Sequence, residues 1–248
     1  MAFRYGVMGL LLALFLGACG DQKATVITPS TMNDKHMDSA SLAELLPQES
    51  RQDIPELLIY RQRVAAALKA DPPVLLLSDS ELADPKARQA QQLVIKFPQF
   101  KQHTLHPQSG EALRNEIMSV RPALAGDFNG KMGPCKEVAC YRVEMYSHFF
   151  NASTIAFVDV RGGKLLGVGR QSYSQPDLPD HLIKLAQSIA DAAPEVSAIL
   201  SEDSERKLSS KAEFKTALRD SRCERSHHLC VAPTYVFEED ALWAIVDL

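Results

Sequence analysis

The stretch Cys140–Lys164, CYRVEMYSHFFNASTIAFVDVRGGK, decides the fold class of this chain. Two runs within it, Tyr141–Phe149 and Thr154–Val160, are rich in the β-branched and aromatic residues that favour strands. The sequence Arg161-Gly162-Gly163-Lys164 is typical of a hairpin turn, and a third strand-like run, Lys164–Tyr173, follows it. The stretch therefore predicts an antiparallel β-meander.

Helices are predicted on both sides of this meander. Apolar residues at helical spacing predict a leading helix within residues 53–73 and a second helix within residues 84–98. The strand-like run Glu116–Arg121 follows the second helix. A third amphipathic helix is expected over residues 177–194, and a proline ends each of the last two helical patterns.

The two halves of the chain repeat one another. A closely spaced cysteine pair precedes a matching strand-like run in each half, IAFVDV from Ile155 and WAIVDL from Trp243. The sequence therefore predicts an α+β fold of two tandem small units, residues 74–176 and 177–248, each a helix packed on an antiparallel β-meander. The second copy stops at Leu248, before the turn that follows in the first copy, so we expect the second unit to be truncated at its C-terminus.

The composition is that of a folded globular protein. The chain has 248 residues, of which 46% are apolar and 23% are charged, and its formal net charge is −4 at pH 7. These values exclude a disordered polymer or a collagen-like fibre. Because no strong basic field is present, we expect no nucleic acid partner.

The N-terminus predicts export and a lipid anchor. Residues 7–16 form an apolar run that is too short to span a bilayer and has the length of the apolar core of a signal peptide. Leu16-Gly17-Ala18-Cys19 is similar to a bacterial lipobox. We therefore expect a signal peptide over residues 1–18, an acylated Cys19 and a flexible tether over residues 19–52. The alternative is an ordinary secretory signal with a chance cysteine.

The predicted anchor also indicates a location. In lipoproteins of this kind, an Asp directly after the acylated cysteine favours retention in the inner membrane. Here Gly20 takes that place and Asp21 comes one residue later. We expect an extracytoplasmic protein whose partner is a bacterial lipid bilayer, with the periplasmic side of the outer membrane favoured.

Cysteine usage agrees with an oxidising compartment. The chain has five cysteines, and acylation of Cys19 leaves an even number, which predicts two disulfides. One bridge would join Cys135 to Cys140 and the other Cys223 to Cys230, and each would close a short loop. The alternative is a metal site, because His227 and His228 lie inside the second pair, but neither half has the C-x2-C spacing typical of zinc sites.

The histidines at positions 103, 106, 148, 227 and 228 show no recognisable site in the sequence. His103 and His106 lie three residues apart in a segment that favours extended chain, which places them on opposite faces. His148 is expected to be a polar residue at the rim of a strand. His227 and His228 are adjacent, so their side chains diverge and joint ligation is disfavoured.

Other candidate residues are expected to serve the fold. Asp159 and Asp247 recur in both halves before a turn, where an Asp accepts hydrogen bonds from turn amides, so we do not interpret them as an acid–base pair. No hydrolase elbow or phosphate-binding loop is present in the sequence. Four aromatic residues are expected in the sheet core, with a surface contact patch as the alternative: Tyr141, Tyr146, Phe149 and Phe150. We assign no catalytic residue, metal or cofactor to this chain.

Several stretches resemble the tandem N-terminal α/β domains of copper amine oxidases, in particular those of bacterial copper-amine-oxidase-like lipoproteins. The resemblance covers roughly residues 75–248. The stretches that carry it are Cys140–Tyr146, Phe157–Val160, Ser174–Pro179, Arg222–Thr234 and Leu242–Leu248.

The resemblance implies an accessory role. Oxidases of this family hold copper and a tyrosine-derived quinone in a large C-terminal domain, and this chain has neither a tyrosine after an asparagine nor a His-x-His pair. The resemblance therefore implies non-catalytic interaction domains on a membrane-anchored lipoprotein, which act with a missing C-terminal domain or a protein partner. The alternative is the N-terminal portion of a longer copper- and quinone-dependent primary amine oxidase, whose catalytic domain is absent from this chain.

Overall fold

The computed structural model describes the greater part of the chain from residue 54 onward. The described residues are 54–128, 135, 138–172, 176–202, 210–215, 229–237 and 241–248. The predicted signal peptide, the predicted tether, Cys19, Cys223, His227 and His228 lie outside them. Among the described residues, no helix has the length and apolar character needed to cross a membrane.

The first sheet is the predicted meander. Its strands pair antiparallel in the order β1-β2-β3-β4. They comprise β1 (Asn115–Pro122), β2 (Cys140–Ser147), β3 (Ala152–Asp159) and β4 (Lys164–Ser172). The α+β prediction with a β-meander is therefore confirmed, and the strand bounds lie within a few residues of those expected.

Five helices accompany the sheets in the described residues. They are α1 (Pro55–Ala67), α2 (Pro85–Val94), α3 (Pro98–Lys101), α4 (Asp180–Asp191) and α5 (Pro194–Glu202). Pro98 and Pro194 were expected only to end helices, yet each also begins the next one. The fixed φ of proline suits the first helical position, where its missing N–H costs no hydrogen bond.

Opposite faces of the first sheet pack against different helices. Val143 and Met145 of β2 are fully buried in an apolar cluster with Ala90 and Val94 of α2. Tyr146, the next residue along β2, belongs instead to a cluster with residues of α1 and α4. The alternation of side chains along β2 therefore places α2 on one face and α1 with α4 on the other.

The second sheet is smaller and interrupted. Its strands are β5 (Ser210–Lys215), β6 (Cys230–Val236), β7 (Ala241–Trp243) and β8 (Val246–Asp247), and both β7 and β8 pair with β6. The sequence predicts a single strand over residues 242–248, but the pairing breaks at Ala244 and Ile245. Pro233 of β6 lies opposite this break and accepts a hydrogen bond from Ala244 N at 3.0 Å. Since proline has no N–H to return, the ladder cannot continue there.

The same strand register occurs in both sheets. Cys140 pairs with Asp159 across β2 and β3, and Cys230 pairs with Asp247 across β6 and β8. The matching runs of the internal repeat thus occupy equivalent positions beside equivalent cysteines.

Helix α4 contributes to two apolar clusters. Its Leu182 and Leu185 pack with Met118 of the first sheet, whereas its Ala186 and Ala190 pack under the second sheet. Helix α1 joins the first of these clusters through Tyr60. Burial of α4 on both sides therefore connects the two regions that the internal repeat defines.

The hairpin between β3 and β4 explains why two glycines occupy the predicted turn. Asp159 Oδ1 accepts a hydrogen bond from Arg161 N at 3.0 Å, as expected of an Asp before a turn. A Cβ on Gly162 would overlap the Asp159 carboxylate. Gly163 has a φ of +62°, a conformation that residues with a side chain rarely adopt.

Replacement of Gly162 should destabilise this hairpin. We expect Gly162→Ala to lower the free energy of unfolding by about 1–3 kcal/mol, because the new methyl group must displace the Asp159 carboxylate. The matched control is Gly167→Ala in β4, where a Cβ meets no atom within 4 Å. Urea unfolding of both variants measures the difference, and equal stabilities would contradict this interpretation.

Candidate functional site

A buried carboxylate lies at the meeting point of α1, β1 and α4. Glu116 of β1 has no solvent exposure. A carboxylate in such a position is costly unless charged or hydrogen-bonding groups surround it. Those groups come from separate parts of the chain, and we call the set the Glu116 cluster: Tyr60, Glu81, Arg114, Glu116, His148 and His181.

Three side chains approach one oxygen of the carboxylate. The Tyr60 hydroxyl donates a hydrogen bond to Glu116 Oε1, and Arg114 Nε donates to the same oxygen at 3.2 Å. His148 Nε2 lies 2.9 Å away from it. Arg114 also donates through Nη2 to the Tyr60 hydroxyl, so the phenol links the guanidinium and the carboxylate.

His181, in the first turn of α4, lies between two carboxylates. Its Nδ1 is 2.7 Å from Glu81 Oε1, and its Nε2 is 3.5 Å from Glu116 Oε2. Ser78 holds the other oxygen of Glu81 through its backbone N at 2.9 Å and its Oγ at 2.7 Å. The His181 imidazole on α4 therefore connects the turn at residues 78–82 to Glu116 on β1.

The two histidines differ in their electrostatic surroundings. Burial lowers the pKa of His148, and the charge of Arg114 lowers it further, so this imidazole is held neutral. Burial also disfavours the charged form of His181, but its contacts with Glu116 and Glu81 outweigh that effect and raise its pKa. His181 therefore keeps its proton to a higher pH than His148 does.

The carboxylates are held in their ionised forms. Burial alone would raise the pKa of Glu116, but His148, His181 and Arg114 together hold it well below its usual range. The pKa of Glu81 is likewise lowered, because its bonds to His181 and Ser78 outweigh burial. Two carboxylates thus face the Arg114 guanidinium and the His181 imidazole, whose pKa they raise.

Hydrogen-bond alignment within the cluster is incomplete. Glu116 Oε2, His148 Nε2 and His181 Nε2 are buried and have no well-aligned hydrogen bond to another described residue. The imidazoles are close to the carboxylate, but their N–H directions do not point at its oxygens. Among the described residues, no group of three or more His, Cys, Asp or Glu is arranged to hold a metal ion. The arrangement can hold ionised side chains in the interior and connect helices and strands.

A shallow depression lies beside the cluster. It is partly open to solvent and is lined by residues of α1, of β1 and just beside them, which include Val64, Leu68, Arg114 and Glu116. Pockets for organic ligands enclose about 300–1,000 Å³. The depression encloses no comparable space.

A second ionic group lies at the other end of the first sheet. Arg121 binds Asp127 through two hydrogen bonds of 2.8 and 2.6 Å, and Arg142 Nη1 lies 2.8 Å from Glu144. Ser153 Oγ donates to the remaining Glu144 oxygen at 2.7 Å. These contacts hold the 3-10 turn Ala125–Phe128 against the sheet, and the bond to Arg121 lowers the pKa of Asp127.

Two predictions about histidines are wrong. His148 was expected at a polar rim, but only 9% of its side chain is exposed, because it packs against Tyr146 and faces Glu116. His103 was expected in extended chain, but it lies in the 3-10 turn Gln102–Thr104 that continues α3. Neither the burial of His148 nor the 3-10 turn at His103 is marked by a periodic pattern in the sequence.

The aromatic residues divide between core and surface. Tyr141 and Tyr146 are buried, as expected of core residues, and their hydroxyls donate to Asp84 and Asn151. Phe149 is 63% exposed, so the core prediction is wrong for this residue.

Two described regions contain disulfide-bonded cysteines. Cys135 and Cys140 are joined to one another, with their Cα atoms 5.3 Å apart, and both are buried. Phe128 and Phe157 pack against them. Cys230 is also disulfide-bonded, whereas Cys223, its predicted partner, lies outside the described residues.

Comparison with known proteins identifies no relative of this chain. No protein-family model, no curated protein and no solved structure matches it. The resemblance to the N-terminal domains of copper amine oxidases therefore stays a prediction from the sequence.

Removal of the central charge should be costly. We expect Glu116→Gln to lower the free energy of unfolding by about 3–5 kcal/mol, because Arg114 would remain buried without its counter-charge and His181 would keep only Glu81. Glu56→Gln, at an exposed site of α1, is the matched control and should change stability by less than about 0.5 kcal/mol. Equal effects of the two substitutions in urea unfolding would show that Glu116 is not the centre of the cluster.

The two histidines should make opposite contributions to pH dependence. The pKa of His181 is higher in the folded state, so its stabilisation is present below about pH 6.5 and is lost as pH rises through the folded pKa. The pKa of His148 is lower in the folded state, because the imidazole is buried in its neutral form. The stability that this burial contributes is therefore lost as pH falls below about 6.5.

These signs can be measured by unfolding wild type, His181→Gln and His148→Gln across this pH range. The stability lost in His181→Gln should shrink as pH rises, and that lost in His148→Gln should shrink as pH falls. A histidine NMR titration gives a direct check, and a pKa for His148 above that of His181 would contradict the assignment.

Proposed function

We propose that this protein is a lipid-anchored extracytoplasmic lipoprotein whose globular part binds or positions a partner and does not itself catalyse a reaction. The proposal combines the predicted anchor at Cys19 with the chemistry of the described residues. It assigns the ionic clusters to the stability of the fold and leaves the surface for interaction.

The disulfide between Cys135 and Cys140 is the observation that carries the proposed location. Protein disulfides persist in oxidising compartments and are rare in the bacterial cytosol. This one is buried beside Phe128 and Phe157, so it belongs to the packed structure rather than to an exposed redox site. A second bonded cysteine, Cys230, strengthens the same inference.

The Glu116 cluster supports an architectural role for its charges. Catalytic carboxylates and histidines must reach a substrate, whereas Glu116 is fully enclosed and its charge is balanced by Arg114 and His181. The adjoining depression encloses no room for a substrate. The cluster connects α1, β1 and α4, which is what a rigid binding module requires.

Substitution of the anchor cysteine tests this proposal. We expect Cys19→Ser to move the protein from the membrane fraction to the soluble fraction, because the acyl chains would be lost. Intact mass spectrometry after detergent extraction should show acyl chains on the wild type and none on the variant. The matched control is the pair Cys135→Ser and Cys140→Ser, which should lose a disulfide but stay with the membrane.

Two results would contradict the proposal. One is an unacylated wild-type protein in the soluble fraction. The other is hydrogen peroxide release from benzylamine by this purified chain with added copper, which would favour an oxidase over a binding module.

A further inference from the structure

An aromatic and cationic patch surrounds the tip of the β2–β3 hairpin. Phe149 and Phe150 meet edge to face, with ring centroids 4.8 Å apart. The His106 ring packs on both of them, and the Arg170 guanidinium lies 3.9 Å from the centroid of Phe150. We call this set, with the neighbouring exposed Leu105, the Phe149 patch.

The hairpin presents these rings in a defined conformation. Asn151 has a φ of +46°, in the left-handed region, and its side chain accepts a hydrogen bond from the Tyr146 hydroxyl. Tyr146 is itself buried, so the turn is fastened to the core. Phe149 consequently stays 63% exposed at the tip of a rigid hairpin rather than folding back into the sheet.

The charge beside the rings is positive. Among the described residues, Arg170 forms no ion pair with a carboxylate, and its positive field lowers the pKa of nearby His103, in addition to the effect of burial. The guanidinium itself stacks on the Phe150 ring, and because Arg170 is exposed, its N–H groups stay accessible to an anionic group. An anionic surface would complement this charge.

We propose that the Phe149 patch docks on the surface of the bilayer that carries the acylated Cys19, with the phenylalanines in the interface and Arg170 against anionic headgroups. This inference rests on the proposed function, because the anchor supplies the bilayer. Exposed aromatic side chains favour the membrane–water interface, and basic side chains favour anionic lipids.

The predicted tether makes a weak docking contact sufficient. A flexible chain of 34 residues spans a root-mean-square distance of about 30 Å. Short flexible linkers give effective concentrations in the millimolar range. Two phenylalanines and one arginine can therefore orient the anchored protein even if their own affinity for the bilayer is low.

Vesicle binding by the mature chain without acyl groups tests the docking. The protein would comprise residues 19–248 with Cys19→Ser, and vesicles of phosphatidylethanolamine and phosphatidylglycerol would be compared with vesicles of phosphatidylcholine. Because Trp243 is the single tryptophan, Trp243→Phe with Phe149→Trp places one reporter at the hairpin tip. We expect its emission to shift to shorter wavelength on the anionic vesicles.

Substitutions then assign the contact. Phe149→Ala should weaken partitioning into anionic vesicles about tenfold, because one aromatic ring leaves the interface. Leu124→Ala is the matched control, since Leu124 is 58% exposed and follows β1 at the opposite end of the sheet, and it should leave partitioning unchanged. Arg170→Gln should weaken binding to anionic vesicles, whereas Arg170→Lys should retain it.

Three outcomes would overturn the inference. They are partitioning of Phe149→Ala equal to that of the unsubstituted protein, no binding to the anionic vesicles, and self-association that Phe149→Ala abolishes, which would assign the patch to a second copy. Circular dichroism and thermal unfolding verify that each variant is folded. Because the protein lacks acyl chains, failure here leaves the Cys19 anchor to be judged separately by membrane fractionation and mass.

Discussion

The neutralisation of Glu116 is the interaction on which the arrangement of helices around the first sheet depends. A carboxylate with no exposure to water must recover its lost hydration from nearby donors and positive charges. Tyr60 brings α1 to it, and His181 brings the first turn of α4. The same contact therefore satisfies the charge and connects a leading helix, a strand and the helix that covers the second sheet.

Helix α4 extends this connection through apolar packing. Its charged first turn faces Glu116 and Glu81, while Leu182 and Leu185 pack below the first sheet. Ala186 and Ala190 pack with the second sheet. Alanine side chains on that side let the helix approach the sheet closely. The polar and apolar contacts of α4 together hold the two sheets in one compact unit.

Along the first sheet, the buried charged side chains and the exposed ones lie in different places. Glu116 is fully buried within its cluster, whereas Asp127 is largely buried in its pair with the partly exposed Arg121, and both contribute rigidity. The hairpin tip between β2 and β3 is instead left with an exposed ring and a cation that has no carboxylate partner among the described residues. A surface built on a fastened hairpin loses little conformational entropy when it binds, which suits the membrane docking that we propose for it.

The sequence by itself determined the meander, the hairpin at Gly162-Gly163, the α+β class and the approximate position of α2 and α4. These features follow from alternation, helical spacing and turn residues within about ten positions, all of which act locally. Only the tertiary structure decided that Glu116 is buried and that His148 and His181 face it, because the cluster draws on positions from 60 to 181 and no local period marks them. It also decided that Phe149 stays exposed, since β2 ends at Ser147 and Phe149 lies in the turn that follows, where strand alternation no longer applies.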